Sequence, residues 1–446
     1  MSTSNPAPLP IPKGFLNVSA PKLVLGGYLS YVLIGWIALA MPASSNRPIS
    51  LLDHLFTAMS ALSTTGLVTV DVGKDYTFLG QLVITLLIQA GGIGYMTFGS
   101  FVMLVTAKRL SELRGKISKA TFALPDKFDV NGFIIQVIAF TFICETIGAA
   151  ALYTVFKAKG MESPVWSSIF HSISAFCTAG FGLYSDSFAS YRDDFWINLI
   201  LSALSLIGGI GFIVLVDLWK TFRGQNKNLT FTSKVILSIT FWFLVLGTLL
   251  FFWIEPSIQN LSPDSRLQAA FFQVMSASTT VGFNTIPLDS LAAPVVLLLV
   301  VLMAFGASPS GTGGGLKSTT FSALIGLVKS TLKGRSSIRF LKREIPGSRL
   351  QAATASFAYY LAILVVSMFV FFLTEKQDPM KLLFEATSAM GTVGMSMGIT
   401  GNLTDLGKIN LVLLMLIGRV GFLTFGMAIS THDETPEELV DNELVV

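Results

Sequence analysis

Apolar residues along this chain gather in long runs; they do not alternate or mark one face of a helix. The runs lie at roughly 22–42, 79–106, 132–156, 195–219, 233–254, 293–306 continuing to 316–328, 351–374 and 408–429. A run of about 20 apolar residues crosses a hydrocarbon core of ~30 Å as a helix, so the pattern predicts eight membrane spans. Between the members of each successive pair lies a segment too short and too polar to span. At membrane depth such a segment is tolerated only where it lines a cavity in the protein, which predicts re-entrant half-helices.

These short segments share one skeleton. FTAMSALSTTG (56–66), FHSISAFCTAG (170–180), FQVMSASTTVG (272–282) and FEATSAMGTVG (384–394) each fit F-x-x-x-S-A-x-x-T-x-G. Their final glycines, Gly66, Gly180, Gly282 and Gly394, are separated by 114, 102 and 112 residues. A period near one hundred marks a repeated membrane module, because solenoid periods are about 20–50 residues. The predicted fold is therefore an all-α integral membrane protein. Four tandem modules, each helix, half-helix with loop, helix, stand in pseudo-fourfold symmetry around one pore. A single T-x-G reads as a turn between helices. Four copies at matching places between paired spans argue against that reading.

The residue types suit a passing cation. An ion that leaves its water needs replacement oxygens, and rings of backbone carbonyls supply them without a fixed charge that would trap it. Glycine permits the unusual dihedrals such a backbone needs. The half-helix before each loop would turn its negative C-terminal end toward the ion. Candidate selectivity-filter residues are Ser63, Thr64, Thr65 and Gly66; Cys177, Thr178, Ala179 and Gly180; Thr279, Thr280, Val281 and Gly282; and Gly391, Thr392, Val393 and Gly394.

Composition agrees with a membrane protein. Of 446 residues, 52% are hydrophobic and 13% charged, with a mean hydropathy of +0.68. That is about half the charged share of a soluble domain. Disorder is excluded. Cys144 and Cys177 sit in apolar context with no metal or disulfide spacing, and His54, His171 and His432 are too scattered for a metal cluster. The Pro-rich N-terminus lacks a signal-peptide core, so the first apolar run is expected to remain as an anchor. The placement of charge matters more than the net +4. Segments 108–129, 220–234 and 329–349, which join one module to the next, carry 17 of the 30 basic residues. The repeat loops carry 14 of the 26 acidic ones. The positive-inside rule then makes the joining segments and both termini cytoplasmic. The outward-facing loops would concentrate cations.

The sixth run is interrupted by GASPSGTGGG, residues 306–315. Five glycines and a proline in ten residues cannot form a helix interior, so this loop must line a cavity. It is a candidate gate, comprising Gly306, Ala307, Ser308, Pro309, Ser310, Gly311, Thr312, Gly313, Gly314 and Gly315 with nearby Lys317. GGGLKST here suggests a phosphate-binding GxxxxGK[ST] loop, but Leu316 separates Gly315 from Lys317 and a membrane span precedes it. In the eighth run Arg419 stands where corresponding stretches have Gly92 and Gly209. An arginine inside a span is a functional hypothesis by default. It would face the pore near the loop, repelling cations or tethering the loop through carbonyls. The bland alternative is a buried salt bridge to Glu145 or Asp217. Glu385, His171, Thr57 and Gln273 share one repeat position. Glu385 would add negative potential behind the filter or brace its helix, and His171 reads as packing.

With STTGL, CTAGF, TTVGF and GTVGM in their loops, residues 20–430 resemble the Trk/Ktr/HKT superfamily of potassium transporters, and most nearly its Ktr branch, since Trk-type relatives usually carry extra N-terminal spans. The resemblance implies potassium-channel-like M1–pore–M2 units. It matches the family's gating loop to 306–315 and its arginine to Arg419. All four filter positions hold glycine, which in the family goes with potassium preference. The resemblance further implies sodium-dependent potassium uptake by a homodimer seated on a cytoplasmic ring of nucleotide-binding RCK subunits of the KtrA type. This chain itself would hold no cofactor beyond K⁺ in the filter and Na⁺ as an activating ion. Its surroundings would be the lipid bilayer of the bacterial cytoplasmic membrane, with no nucleic acid among its partners. Two other classes compete. Alternating access predicts broken helices in two corresponding halves, where the sequence shows one broken span. A membrane enzyme needs a catalytic set that Glu145, Asp217, Lys317 and Arg419 do not form.

Overall fold

A computed structural model describes residues 20–94, 130–306, 308–309 and 311–430. The joining segment 108–129, the polar N-terminus before residue 20, the tail beyond 430, and Ala307 and Ser310 of the candidate gate lie outside the described residues.

One element order recurs four times. It begins with α1 (Ala20–Leu39), α2 (Leu51–Leu62) and α3 (Phe78–Ile93). The second copy is α4 (Val130–Ala158), α5 (Pro164–Phe176) and the pair α6 (Phe195–Ile210) and α7 (Phe212–Phe222). The third is α8 (Phe231–Ile254), α9 (Pro263–Thr279) and the pair α10 (Ala293–Phe305) and α11 (Ser318–Thr331). The fourth is α12 (Gly347–Thr374), α13 (Pro379–Gly391) and the pair α14 (Asp405–Val420) and α15 (Phe422–Ile429). A hairpin of β1 (Arg339–Phe340) and β2 (Arg343–Glu344) follows α11, with Arg339 opposite Glu344.

The short helices start and stop for local reasons. Proline opens α5, α9 and α13, where its missing N–H is no loss. The side chains of Ser50, Ser262 and Asp378 accept first-turn amides of α2, α9 and α13. Each short helix ends against a T-x-G loop.

Among the described residues, Pro21–Leu39, Ile135–Ala158, Phe231–Ile254 and Gly347–Thr374 are each long and apolar enough to cross a membrane. The pairs α6–α7 and α14–α15 pass the same test only as bent units, at 99° and 104°. The sixth apolar run is thus not the only broken one, which corrects the expectation. Gly211 and Gly421, at φ +99° and +94°, stand at the two bends, and Gly94 at φ +83° ends α3. A run stays apolar across such a bend, so hydropathy cannot register it.

The packing order is cyclic. α3 lies on α5, α6 on α9, α10 on α13, and α14 returns to α2. Each second helix thus leans on the short helix of the following copy, and the last closes on the first. Within each copy a glycine brings the second helix onto the short helix's end. A Cβ on Gly91, Gly208, Gly306 or Gly418 would lie 1.9, 1.8, 2.3 or 2.2 Å from the carbonyl of Leu62, Phe176, Ser278 or Met390.

Candidate ion-conduction site

The four T-x-G loops have one backbone form. The threonines Thr64, Thr178, Thr280 and Thr392 all adopt positive φ, between +50° and +60°, although β-branched residues avoid that region. The glycines two residues on have φ of +91°, +66°, +85° and +88°. Such strain persists only where the surroundings impose it, and here the surroundings are visible. The middle amides of the four loops, on Thr65, Ala179, Val281 and Val393, donate to the carbonyls of Ser60, Ser174, Ser276 and Ser388 at 2.8–3.0 Å. The hydroxyls of Ser60 and Ser388 accept the glycine N–H at 3.1 and 3.0 Å. Those of Ser174 and Ser276 donate to the carbonyls of Phe181 and Phe283 at 2.8 and 2.6 Å. The amides are drawn back toward the short helix, and the loop's middle carbonyls are left to face the other loops.

The loops meet in a closed ring. A Cβ on Gly66 would lie 2.3 Å from the Ala179 carbonyl, and one on Gly180 would lie 2.2 Å from that of Val281. For Gly282 the neighbour is the Val393 carbonyl at 2.0 Å, and for Gly394 it is the Thr65 carbonyl at 2.0 Å. Any side chain at these positions must displace the backbone of the next loop. The first positions of the candidate filter differ: the Ser63 hydroxyl pairs with Thr65 Oγ1 at 2.6 Å, Thr279 Oγ1 donates to the Met275 carbonyl, and Gly391 has no side chain. Cys177 is buried, its Sγ 3.6 Å from Glu145 Oε1 and 3.7 Å from Gln89 Oε1, while Gln89 Nε2 donates to Glu145 Oε2 at 3.0 Å.

The glycine-rich loop lies directly against this ring. Thr64 Oγ1 donates to the Thr312 carbonyl at 3.3 Å, Thr178 and Thr312 share a hydrogen bond between hydroxyls at 2.9 Å, and Thr392 Oγ1 accepts the Gly314 N–H at 2.7 Å. Three of the four T-x-G threonines are therefore engaged. The fourth, Thr280, keeps a buried hydroxyl without a partner among the described residues. Ser308 and Pro309 are buried, and Gly306 and Gly311 sit tightly against the carbonyls of Ser278 and Gly209. Gly315 N–H donates to the Gly418 carbonyl at 3.1 Å, and Lys317 Nζ donates to the Gly313 carbonyl at 2.9 Å.

Arg419 joins three elements. Its guanidinium donates to the carbonyls of Thr312 and Gly91, and its Nε donates to the Tyr28 hydroxyl at 2.9 Å. Glu145 is instead held by Gln89 and Cys177, and Asp217 by Asn226 and the Thr230 N–H, so the salt-bridge alternative is not what forms. The position shared by Glu385, Gln273 and His171 has one geometry. Each contacts the residue twelve places on: Glu385 Oε1 accepts the Met397 N–H at 3.0 Å, Gln273 Nε2 donates to Thr285 Oγ1 at 3.1 Å, and His171 Nε2 accepts the Leu183 N–H at 3.2 Å. Glu385 also receives Ser396 and Thr400, bracing the segment after the fourth T-x-G loop. His171 packs, stacked 4.9 Å from Tyr184. Thr57 departs from the pattern and turns to the Asp53 carbonyl.

A family model described as cation transport protein, TrkH, matches residues 3–436. The chain belongs to the TrkH family. Ktr system potassium uptake protein B of Vibrio alginolyticus is 33% identical over 429 residues, 94% of each chain. Its namesake in Bacillus subtilis is 32% identical over 435 residues, covering 96% of this chain and 97% of that one. The potassium/sodium uptake protein NtpJ of Enterococcus hirae is 33% identical over 92% of each. The crystal structure of the potassium transporter TrkH from Vibrio parahaemolyticus superposes with a TM-score of 0.72 over 95% of this chain and 86% of that one, at 20% identity. The fold is thus that of a TrkH-type membrane protein, and the kinship is with transport proteins, not enzymes. Sequence reading passed over the Ser60, Ser174, Ser276 and Ser388 hydroxyls, although they stand in the repeated skeleton. It had no signal for Tyr28 or for the Gln89–Glu145–Cys177 contact.

Proposed function

We propose that this chain is the ion-translocating subunit of a potassium uptake system, passing K⁺ inward through a pseudo-fourfold filter of the four T-x-G loops. The observation that carries this reading is the closed ring in which each glycine abuts the middle carbonyl of the next loop. Four such loops offer a dehydrated cation uncharged oxygens from every side. The names of the Vibrio and Bacillus relatives supply the ion. Loop 306–315, with Lys317 and Arg419, is the gate: it lies across the inner end of the filter, and Arg419 holds it there. Glu385 adds negative potential behind the fourth loop. The unit works as a homodimer in the bacterial cytoplasmic membrane, termini inside, on a ring of RCK subunits that carry the nucleotide. Sodium activates it. The closed ring of four loops, and not the helix breaks, favours this reading over alternating access, because the breaks recur in the second, third and fourth repeats and so also in both halves.

The test is rubidium uptake into a potassium-uptake-deficient bacterium expressing the chain with a Ktr-type regulatory partner, with and without sodium. Wild type is compared with Gly282→Ser, whose Cβ must push aside the Val393 carbonyl 2.0 Å away. Potassium-selective uptake that loses affinity or selectivity in the variant is the expected result. Identical transport by two equally expressed proteins would mean that the ring is scaffolding.

A further inference from the structure

A cleft of about 620 Å³ lies between the third and fourth repeats, lined by residues of α10, α11 and α12. That volume lies within the roughly 300–1,000 Å³ range of pockets that hold a small ligand. Its back wall is aromatic. Phe305 is stacked on Phe357 at 5.8 Å and tilted against Phe321 at 5.0 Å. Val328, 58% exposed, lines its outer side, and the exposed Lys329 and Lys333 add only their methylene stems to an otherwise apolar wall. Neither lysine forms an ion pair among the described residues. The segment beyond adds Arg335, Arg339, Lys342, Arg343 and Arg349 against the single acid Glu344. An apolar cleft open to the outside of a spanning bundle, with the ammonium groups of two exposed lysines beside its mouth, is complementary to one kind of molecule in a bilayer. That molecule has an acyl chain and an anionic head. Basic pockets between helices on the cytoplasmic side attract such headgroups.

We infer that this cleft is a binding site for an anionic phospholipid, its chain against Phe305, Phe321 and Phe357 and its headgroup on Lys329 and Lys333. The site reaches the candidate gate through its walls. Phe305 is the last helical residue before loop 306–315, and Phe321 lies in the first turn after it. A seated chain fills the space into which Phe305 and α11 would shift if the loop moved, so occupancy holds the loop where it lies. This coupling rests on the gate reading; lipid retention does not.

The full chain, purified in mild detergent, is offered phosphatidylglycerol or phosphatidylcholine of identical chains, and retained lipid is measured by native mass spectrometry. Wild type should prefer phosphatidylglycerol by roughly ten- to thirty-fold, the effect of two membrane-surface lysines. Lys329→Gln/Lys333→Gln should abolish the preference, and Val328→Trp, which fills the cleft mouth, should reduce retention of both lipids. An unchanged preference in the double lysine variant overturns the proposal. So does increased retention after deletion of 431–446, which would make the acidic tail the occupant, or loss of the oligomer in the lysine variant, which would make it a second copy. Rubidium flux into liposomes should fall when phosphatidylglycerol is added, for wild type and not for the lysine variant. If retention follows the lysines while flux ignores the lipid, the coupling falls and the site stands.

Discussion

Among the described residues, Arg419, a charge at membrane depth, finds no opposite charge. Its partners are two carbonyls and a phenol. Carbonyls disperse a cation's field without neutralising it, so the positive potential remains next to Thr312 while the loop is held by direct bonds. Losing one charged hydrogen bond of this kind costs about 1.5–3 kcal/mol, which shifts a two-state loop equilibrium by roughly 10- to 100-fold. Arg419→Gln removes the charge and most of the donors. Rubidium uptake measured without the regulatory partner should rise by about that factor. Unchanged flux and control in a well-expressed variant would leave Arg419 a packing residue. Its oddity was legible because a cation stands where Gly92 and Gly209 stand elsewhere. Its partners were not, since Tyr28 is 391 residues away and nothing local marks it.

The short helices and their loops could be read from the sequence because a four-copy skeleton constrains them. The second helices could not be read in full. G-x-x-G in IGGIG and IGRVG looks like a small-residue packing stripe, yet its second glycine takes a backbone no other residue adopts readily. Gly211 and Gly421 separate two consequences of that geometry. A Cβ on Gly421 meets only Thr424 Oγ1, at 3.8 Å, so Gly421→Ala adds dihedral strain and little else. A Cβ on Gly211 would lie 2.6 Å from the Pro309 carbonyl of the candidate gate. Both substitutions should therefore destabilise by about 1–3 kcal/mol, read as a lowered melting temperature in detergent. Gly211→Ala alone should raise partner-free flux, by displacing the loop. Equal flux changes in both variants would show that the bend, and not the contact, matters to the gate.

Across the whole molecule the decisive feature is closure, which no stretch of sequence displays. Periodicity announces four units, but whether the fourth meets the first depends on contacts between residues hundreds of positions apart. The cyclic packing of α14 onto α2 carries such a contact: Lys408 Nζ reaches Asp53 Oδ1 at 2.8 Å, with only 12% and 16% of the two side chains exposed. Largely shielded in this way, the pair lies between a surface ion pair worth about 0–1 kcal/mol and a buried one whose breakage costs about 3–5 kcal/mol, nearer the latter. Lys408→Met leaves Asp53 with only local donors such as the Ser50 hydroxyl, and the melting temperature should fall by a few degrees. Lys408→Met combined with Asp53→Asn should recover part of that loss, because no charge is then left unpaired at the seam. Potassium selectivity should fall in the single variant in step with stability, since opening the α14–α2 seam widens the ring at Gly394 and Gly66. If the single variant lost stability and kept full selectivity, the filter loops would be fixed by their own serine-braced turns, and closure of the outer ring would serve only to hold the molecule together.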